Sequence, residues 1–184
     1  MQKNWIGRSD GAMVTFDIEN YDKQNEVFTT RVDTIFGVTF MTLAPEHSYI
    51  KKITTKENLK KVQDYSKLSG KKTERERMSD VKSISGVFTG AYAIHPLSNE
   101  RLPIWISDYV LAGYGTGAVM AVPCGDQRDY NFDKFFNIPI KNIFLDKDIS
   151  KEAFQNKDGF VLTNSSFLDG LNFKDGLSLA IKKL

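Results

Sequence analysis

The sequence predicts one α/β domain, an expectation that rests on three observations. Apolar residues alternate with period two in two β-rich blocks, a helical pattern separates these blocks, and another helical pattern closes the chain. The 184 residues are 41% hydrophobic, which is enough for one substantial core. The 12% aromatic content and the formal net charge of +2 exclude a disordered chain, which would combine low hydrophobicity with high net charge.

The first β-rich block contains three predicted strands, at residues 13–18, 26–30 and 37–43. A polar turn at residues 19–25 joins the first two strands. From residue 45 to near residue 67 the apolar residues follow helical spacing, and Thr54 or Thr55 divides this stretch into two helices. Gly70 then stands at the position of a C-terminal helix cap.

The second block contains predicted strands at residues 87–94, 102–110 and 118–122, with a turn at 95–99. Pro123 ends the third of these strands, and Asp126 is expected to cap a helix with an aromatic face. Weaker elements follow at residues 138–145 and 159–162, and a final helix is expected near 173–184.

The charge balance limits the classes of partner. The 25 basic and 23 acidic residues nearly cancel, which excludes the strong positive field of an autonomous nucleic-acid-binding protein. Any contact with nucleic acid must therefore be local. Lysine and arginine residues do cluster between residues 51 and 77, and a solvated helical face is the favoured interpretation of that stretch.

The cysteine content and the hydropathy indicate the compartment. Because Cys124 is the single cysteine, no internal disulfide can form, and two histidines are too few for a structural zinc site. We therefore expect a reducing compartment and no metal. The first residues lack the apolar core of a signal peptide, and no run approaches the ~18 apolar residues of a membrane span. The sequence predicts a cytoplasmic protein with no membrane partner.

Common enzyme signatures are absent, including those of serine hydrolases, zinc proteases and phosphate-binding loops. The glycine-rich run 113–117 loosely matches a dinucleotide fingerprint, but a strand ended by proline follows it where a helix is required. These glycines are interpreted as allowing close backbone approach to packed strands or to a ligand. A thiol nucleophile at Cys124 with His95 or His47 as its base is a minor alternative, because no third orienting group is suggested.

The segment from Thr29 to Thr34 concentrates hydroxyls, a guanidinium and a carboxylate between two apolar strands. One interpretation is structural, with a strand end followed by a turn at residues 34–36 that Asp33 caps. The other is functional, since these groups can bind and polarise a substrate. The residues alone favour neither interpretation.

The segment 124–129 also permits two interpretations. Asp126 and Asp129 have the spacing of a helix cap and its third residue, so both can serve helix initiation. A carboxylate at a strand-to-helix junction beside a glycine loop is also well placed to hold an ammonium group. The cap interpretation is slightly favoured for Asp126, and Asp129 is left open.

Three longer motifs resemble a known family. TTRVDTIFGVTF, HPLSNERLPIWISDYVLAGYGTGAVMAVP and GDQRDYNF, in this order and spacing, resemble the editing insertion of leucyl-tRNA synthetases, and NWIGRSDGA resembles its junction with the catalytic core. The resemblance covers nearly the whole chain. It implies a compact α/β editing domain with a twisted, barrel-like β core and peripheral helices. Residues 1–184 would then form one domain of a larger synthetase, with 1–12 and 173–184 as junctions.

The resemblance implies an activity and its partners. The expected reaction is hydrolysis of the aminoacyl ester of mischarged tRNA(Leu), with norvaline, isoleucine or methionine as the wrong amino acid, while Leu-tRNA(Leu) is spared. The expected partners are the acceptor end of tRNA(Leu) and the rest of the synthetase in cis, and the isolated domain is expected to be monomeric. The domain would need no cofactor, whereas the parent synthetase uses ATP and Mg. Two rival functions are the editing domain of an isoleucyl- or valyl-tRNA synthetase and a noncatalytic tRNA-binding module.

The resemblance also implies residue roles. Thr29 and Thr30 resemble the edge that contacts the ester, where hydroxyl donors can stabilise a developing oxyanion, and Thr34 resembles the side chain that blocks leucine. Asp129 resembles the carboxylate that anchors the α-amino group. The remaining expected substrate-binding residues are Arg31, Asp33, Tyr114, Met120, Val122 and Asp126. A positioned water, in place of a general base, is the expected nucleophile.

The sequence departs from the family pattern in two places. Val32 stands where many members have proline, which should loosen the turn. Cys124-Gly125 replaces a more frequent pair that contains histidine, so a histidine contact cannot be assigned to this chain.

Overall fold

A computed structural model describes residues 11–79, 83–113 and 115–184 of the chain. In these ranges six strands form one mixed sheet with the order β2-β1-β4-β5-β3-β6. The strands are β1 (Ala12–Ile18), β2 (Gln24–Thr29), β3 (Phe40–Leu43), β4 (Val87–Ile94), β5 (Arg101–Ile106) and β6 (Ala118–Ala121). The helices are α1 (Ile50–Ile53), α2 (Leu59–Ser69), α3 (Glu74–Ser79), α4 (Gln127–Phe136) and α5 (Phe173–Lys183), with short 3-10 helices at Val32–Gly37 and Ser166–Leu168.

The sheet curls until its two edge strands approach each other. Neighbouring strands pair antiparallel, except that β3 and β5 are parallel. The edges β2 and β6 make contact, and just before β6 the Thr116 hydroxyl donates to the Glu26 carbonyl at 2.5 Å. The result is a nearly closed barrel with helices around it, which confirms the expected fold class.

Side-chain alternation along the strands builds the core. On β1, Val14, Phe16 and Ile18 point into the barrel and are buried, and the residues between them are at least partly exposed. Each such large apolar side chain contributes about 1.5–3 kcal/mol on burial. Strand β3 is buried at every position, and α4 covers it from outside, where the rings of Phe40 and Phe132 stack with centroids 5.0 Å apart.

Two predicted strands are shorter than expected, for local reasons. The strand predicted at residues 37–43 begins at Phe40, because residues 32–37 coil into a 3-10 helix. Thr34 starts this coil, since its N–H (3.1 Å) and its hydroxyl (2.7 Å) both donate to the Arg31 carbonyl. The strand predicted at residues 102–110 ends at Ile106, where the Ser107 hydroxyl donates to the Ser85 carbonyl at 2.6 Å.

The helical predictions fare better. The stretch from residue 45 divides into two helices as expected. Thr54 is the C-cap of α1, and its hydroxyl donates to the Ile50 carbonyl at 2.6 Å. Gly70 is the C-cap of α2, but its φ of −67° is one that any residue adopts. The predicted final helix is confirmed as α5. The weaker segments 138–145 and 159–162 pair through an isolated bridge between Phe144 and Leu162, and the rings of Phe144 and Phe160 also make contact.

Gly117, the last glycine before β6, forms a turn. Gly117 has a φ of +72°, a left-handed conformation that glycine adopts without strain. Its carbonyl accepts a hydrogen bond from the Ala44 N–H at 2.8 Å. This turn aligns β6 with β3. Among the residues that the structure describes, no helix is long and apolar enough to cross a membrane.

Candidate active site

A cavity of about 510 Å³ lies where β6 and α4 face α3 and the ends of β4 and β5. It contains three of the side chains that the sequence singles out, Met120, Asp126 and Asp129. The other lining residues are Arg77, Ser83, Ile84, Ser85, Ser107, Asp108, Tyr109, Val110, Leu111, Val119, Arg128, Asn131 and Phe132. A larger polar cleft of about 990 Å³ lies beside the β1–β2 hairpin, but it contains none of the predicted site residues. The smaller cavity is therefore the candidate site.

Asp129 is held by two hydrogen bonds at the wall of this cavity. Its Oδ2 accepts the Val122 N–H at 2.8 Å, and its Oδ1 accepts the Tyr109 hydroxyl at 3.0 Å. Burial raises its pKa to about 7, and the nearby charge of Asp126 adds to this effect. Only 8% of the residue is exposed. The site therefore presents a preorganised carboxylate whose charge an incoming cation would stabilise.

Asp126 stands at the first position of the turn that starts α4. Its Oδ1 accepts the N–H groups of Arg128 at 2.8 Å and Asp129 at 3.3 Å. These bonds confirm the cap interpretation of Asp126. Because the residue also lines the cavity, its contact with a substrate stays a prediction.

The apolar residues of the predicted site divide between two surfaces. Met120, on β6, lines the cavity. Val122 holds Asp129 through its main chain, while its side chain packs against the 3-10 helix at Gly37. Tyr114, which the sequence also placed in the pocket, lies outside the described residues.

The threonine-rich segment forms a tight turn at the end of β2. The Thr29 Oγ1 accepts the Arg31 N–H at 3.0 Å, and the buried Thr34 donates its hydroxyl to the Arg31 carbonyl. Thr30, between them in the sequence, is exposed. None of these three residues lines the cavity, so their predicted contact with the ester stays a prediction.

Arg31 and Asp33 form a bidentate ion pair. Arg31 Nε donates to Asp33 Oδ1 at 3.0 Å, and Arg31 Nη2 donates to Asp33 Oδ2 at 2.9 Å. The guanidinium also lies 5.1 Å from the ring centroid of Phe173, at the start of α5. The expectation that Asp33 caps the following turn is wrong, because no side chain caps the 3-10 helix and Asp33 binds Arg31 instead. Substrate contacts of both residues stay predictions.

Gly37, at the end of the 3-10 helix, packs closely against the segment that connects β6 to α4. A Cβ atom at Gly37 would lie 3.1 Å from both Val122 Cγ1 and Cys124 Sγ, so the backbone approaches these two side chains closely. Two residues later, Thr39 donates to Asp133 Oδ2 of α4 at 3.2 Å. The chain that follows the threonine-rich segment, at Gly37 and Thr39, therefore packs against Val122, Cys124 and α4.

The thiol alternative is wrong. Burial raises the pKa of Cys124 to about 12, so almost no thiolate is present near neutral pH. His95 is also buried, with Nε2 2.9 Å from the Ile35 carbonyl and Nδ1 accepting the N–H groups of Leu97 and Ser98. His47 Nδ1 accepts the Tyr49 N–H at 3.2 Å. Both imidazoles are thus engaged in structural hydrogen bonds.

Comparison with known proteins assigns the chain to a family. The sequence model of a family described as "Leucyl-tRNA synthetase, editing domain" matches residues 3–184. The chain belongs to this family. The editing domain of isoleucyl- or valyl-tRNA synthetase is accordingly no longer a competing assignment.

Full-length relatives and a solved structure are similar to this editing domain. The leucine–tRNA ligase of Flavobacterium johnsoniae is 61% identical over 188 residues, which cover 100% of this chain and 20% of that protein. The leucine–tRNA ligase of Christiangramia forsetii is 60% identical over 183 residues, which cover 100% and 19%. The chain thus spans about a fifth of the length of these curated relatives.

One solved structure that matches this chain is the ternary complex of Agrobacterium radiobacter K84 agnB2 LeuRS-tRNA-LeuAMS. It superimposes on this chain with a TM-score of 0.66 at 39% sequence identity, and the match covers 81% of this chain and 18% of that chain. The barrel of the editing domain is therefore shared with a solved leucyl-tRNA synthetase.

Several cavity residues of the editing domain were missed from the sequence. Tyr109 and Ser107 follow β5 in a segment that was expected to continue as strand, and Arg77 lies in a charged stretch read as solvated surface. Asp108 accepts hydrogen bonds from Ser85 at 2.9 Å and from Lys72 at 3.1 Å. The sequence signal that could have revealed these cavity residues is the pair of polar residues, Ser107 and Asp108, inside the strand predicted at residues 102–110.

Proposed function

We propose that this editing domain hydrolyses the ester that links a wrong amino acid to tRNA(Leu), as part of a full-length synthetase that works in the cytoplasm. The observation that supports this most directly is the buried Asp129 carboxylate, held by Val122 and Tyr109 at the wall of a cavity. An aminoacyl ester carries a free α-ammonium group, and a charge-assisted hydrogen bond to a fixed carboxylate recognises it. The matched Agrobacterium structure contains tRNA, which supports tRNA as the partner.

A second site is needed for a physical reason. A synthetic pocket separates amino acids that differ by one methylene by only about 1–3 kcal/mol, which leaves frequent errors. We propose norvaline, isoleucine and methionine as the amino acids removed. Thr34, buried at the base of the threonine-rich turn, is proposed to exclude the leucine side chain so that Leu-tRNA(Leu) is spared.

The chemistry we propose uses hydroxyls and a held water. Thr29 and Thr30 stand at the end of β2, and their hydroxyls would stabilise the oxyanion that forms when water attacks the ester carbon. Asp129 would fix the ammonium group, so that the carbonyl carbon meets the water in a productive geometry. No protein cofactor enters this scheme. ATP and Mg belong to the synthetic reaction of the proposed parent enzyme.

The test is deacylation by the full-length synthetase that contains this chain. We expect hydrolysis of norvalyl- and isoleucyl-tRNA(Leu) and no hydrolysis of leucyl-tRNA(Leu). The Thr29→Val/Thr30→Val double variant, which keeps shape but removes both hydroxyls, should lose this hydrolysis. Thr34→Ala should begin to hydrolyse leucyl-tRNA(Leu).

The competing function is a noncatalytic module that binds tRNA. A wild-type enzyme that binds mischarged tRNA without accelerating its hydrolysis would favour that function and refute ours. Unchanged sparing of leucyl-tRNA(Leu) by Thr34→Ala would refute the gate role alone.

A further inference from the structure

Arg77, on the short helix α3, lines the same cavity as Asp129. Its side chain is only 5% exposed. Nη1 donates to Glu46 Oε2 at 3.2 Å, and Nη2 donates to Glu46 Oε1. The third donor, Nε–H, is buried and has no hydrogen-bond partner among the residues that the structure describes.

This unpaired donor is unusual among the described residues around the cavity. The three carboxylates there already have donors: Asp108 has Ser85 and Lys72, Asp126 has the first N–H groups of α4, and Asp129 has Val122 and Tyr109. No other side chain that lines the cavity has a buried polar atom without a partner in the part of the chain that the structure describes. A buried N–H that lacks an acceptor is costly, so it marks a place where an acceptor can bind favourably.

The ion pair with Glu46 leaves Arg77 capable of binding an anion. The Glu46 side chain is 42% exposed, so solvent screens its charge, whereas the arginine is nearly buried and permanently charged. The planar guanidinium matches phosphate geometry, and two partners on different edges are compatible with its five N–H donors. The acceptor that fits this position best is therefore a phosphate oxygen.

We propose that Arg77 binds the phosphate of the 3′-terminal nucleotide of the aminoacylated RNA through its Nε–H. This inference rests on the proposed function and adds the nucleotide end of the substrate to it. The ammonium group binds Asp129 and the phosphate binds Arg77, so one cavity holds both ends of the aminoacyl nucleotide. The volume of about 510 Å³ lies within the roughly 300–1,000 Å³ typical of small-molecule sites. Arg77 thereby selects an ester on an RNA end over a free amino acid ester.

A binding experiment tests the proposal without requiring catalysis. The probes are two nonhydrolysable amides, 3′-norvalylamino-3′-deoxyadenosine with and without a 5′-phosphate, titrated calorimetrically into the full-length synthetase. An aminoacyl-adenylate analogue fills the synthetic site first. We expect the wild-type enzyme to bind the phosphorylated probe about tenfold more tightly, in line with one hydrogen bond between charged groups. Equal affinity for the two probes would overturn the proposal, and this result needs no variant.

Matched variants separate phosphate binding from a structural role of the ion pair. Arg77→Gln should abolish the preference for the phosphorylated probe. Glu46→Gln breaks the same ion pair but keeps the guanidinium, so it should retain or increase that preference. If both variants lose the preference equally, Arg77 acts only through Glu46 and the proposal fails.

The deacylation assay keeps this inference apart from the proposed function. A phosphate preference in an enzyme that does not hydrolyse mischarged tRNA would support Arg77 and refute the hydrolase. Hydrolysis of mischarged tRNA with no preference for the phosphorylated probe would support the hydrolase and refute the role of Arg77.

Discussion

The main-chain N–H of Val122 donates to the Oδ2 atom of Asp129 at 2.8 Å, across the junction between β6 and α4. The donor lies one residue after the end of β6 and the acceptor lies in the first turn of α4, so the bond fixes the strand-to-helix connection. It also fixes the carboxylate at the cavity wall. Fold and candidate site therefore depend on the same hydrogen bond, and several expected outcomes follow from this dependence.

Replacing Asp129 by asparagine should lower kcat/KM for norvalyl-tRNA(Leu) by about tenfold to a hundredfold or more, because the substrate ammonium loses its charged partner. The amide is nearly isosteric, but its NH₂ group only donates, so either Val122 or Tyr109 loses its acceptor. The measurement is steady-state deacylation by the full-length enzyme. Asp148→Asn is the matched control, since it makes the same substitution at an exposed carboxylate that does not line the cavity. Wild-type activity of Asp129→Asn would contradict the assigned role.

We expect the rate of deacylation to depend on pH through the protonation of Asp129. Its pKa is raised by burial to about 7, so below that pH the free enzyme holds a neutral acid that cannot pair with an ammonium group. We expect kcat/KM to fall tenfold per pH unit below about 7, after subtraction of enzyme-free hydrolysis. The limb in kcat should lie at lower pH, because the bound ammonium stabilises the carboxylate.

Tyr109→Phe provides the internal control for that profile. The Tyr109 hydroxyl donates to Asp129 and lowers the pKa of this carboxyl group. Its removal should therefore move the acidic limb of kcat/KM to higher pH. A limb that stays in place would show that another group titrates.

How far sequence alone reaches can be seen by comparing Asp126 with Tyr109. The cap at Asp126 was predictable, because the accepting side chain and the two donating N–H groups, of Arg128 and Asp129, lie within three residues along the chain. The hydroxyl of Tyr109 meets Asp129 only after β5, β3 and β6 are assembled side by side. The barrel's strands were predictable for the same reason as the cap, since period-two alternation is a local signal.

Local signals also failed where two of them compete. The strand predicted at residues 37–43 begins only at Phe40, because the Thr34 hydroxyl and N–H both donate to the Arg31 carbonyl and coil residues 32–37 into a 3-10 helix. The Arg31–Asp33 pair was missed although its members are two residues apart. Two residues at this spacing share one face of a strand but do not face each other on a helix, so the spacing alone does not predict the pair.

The Arg31–Asp33 pair should respond asymmetrically to substitution. Asp33 is fully buried and the Arg31 side chain is 19% exposed. Arg31→Met leaves a buried carboxylate without its partner, which costs about 3–5 kcal/mol of unfolding free energy. Asp33→Asn should cost less, since the remaining guanidinium still reaches solvent and packs near Phe173. Urea unfolding of both variants measures the difference, and equal or reversed costs would contradict this account.

Asp133 should make the unfolding free energy fall as pH rises. Burial raises its pKa to about 8, and the charge of Asp129 adds to this effect. Its Oδ1 is buried without a partner among the described residues, while Thr39 donates to Oδ2. An unfolded aspartate releases its proton near pH 4, whereas the folded protein keeps it until about pH 8. Between these values folding takes up a proton, so stability decreases with pH by up to about 1.4 kcal/mol per unit. Asp133→Asn removes this titration and should gain stability relative to wild type between pH 5 and pH 8 in urea unfolding. A constant difference between variant and wild type across that range would show that Asp133 is ionised in the folded protein.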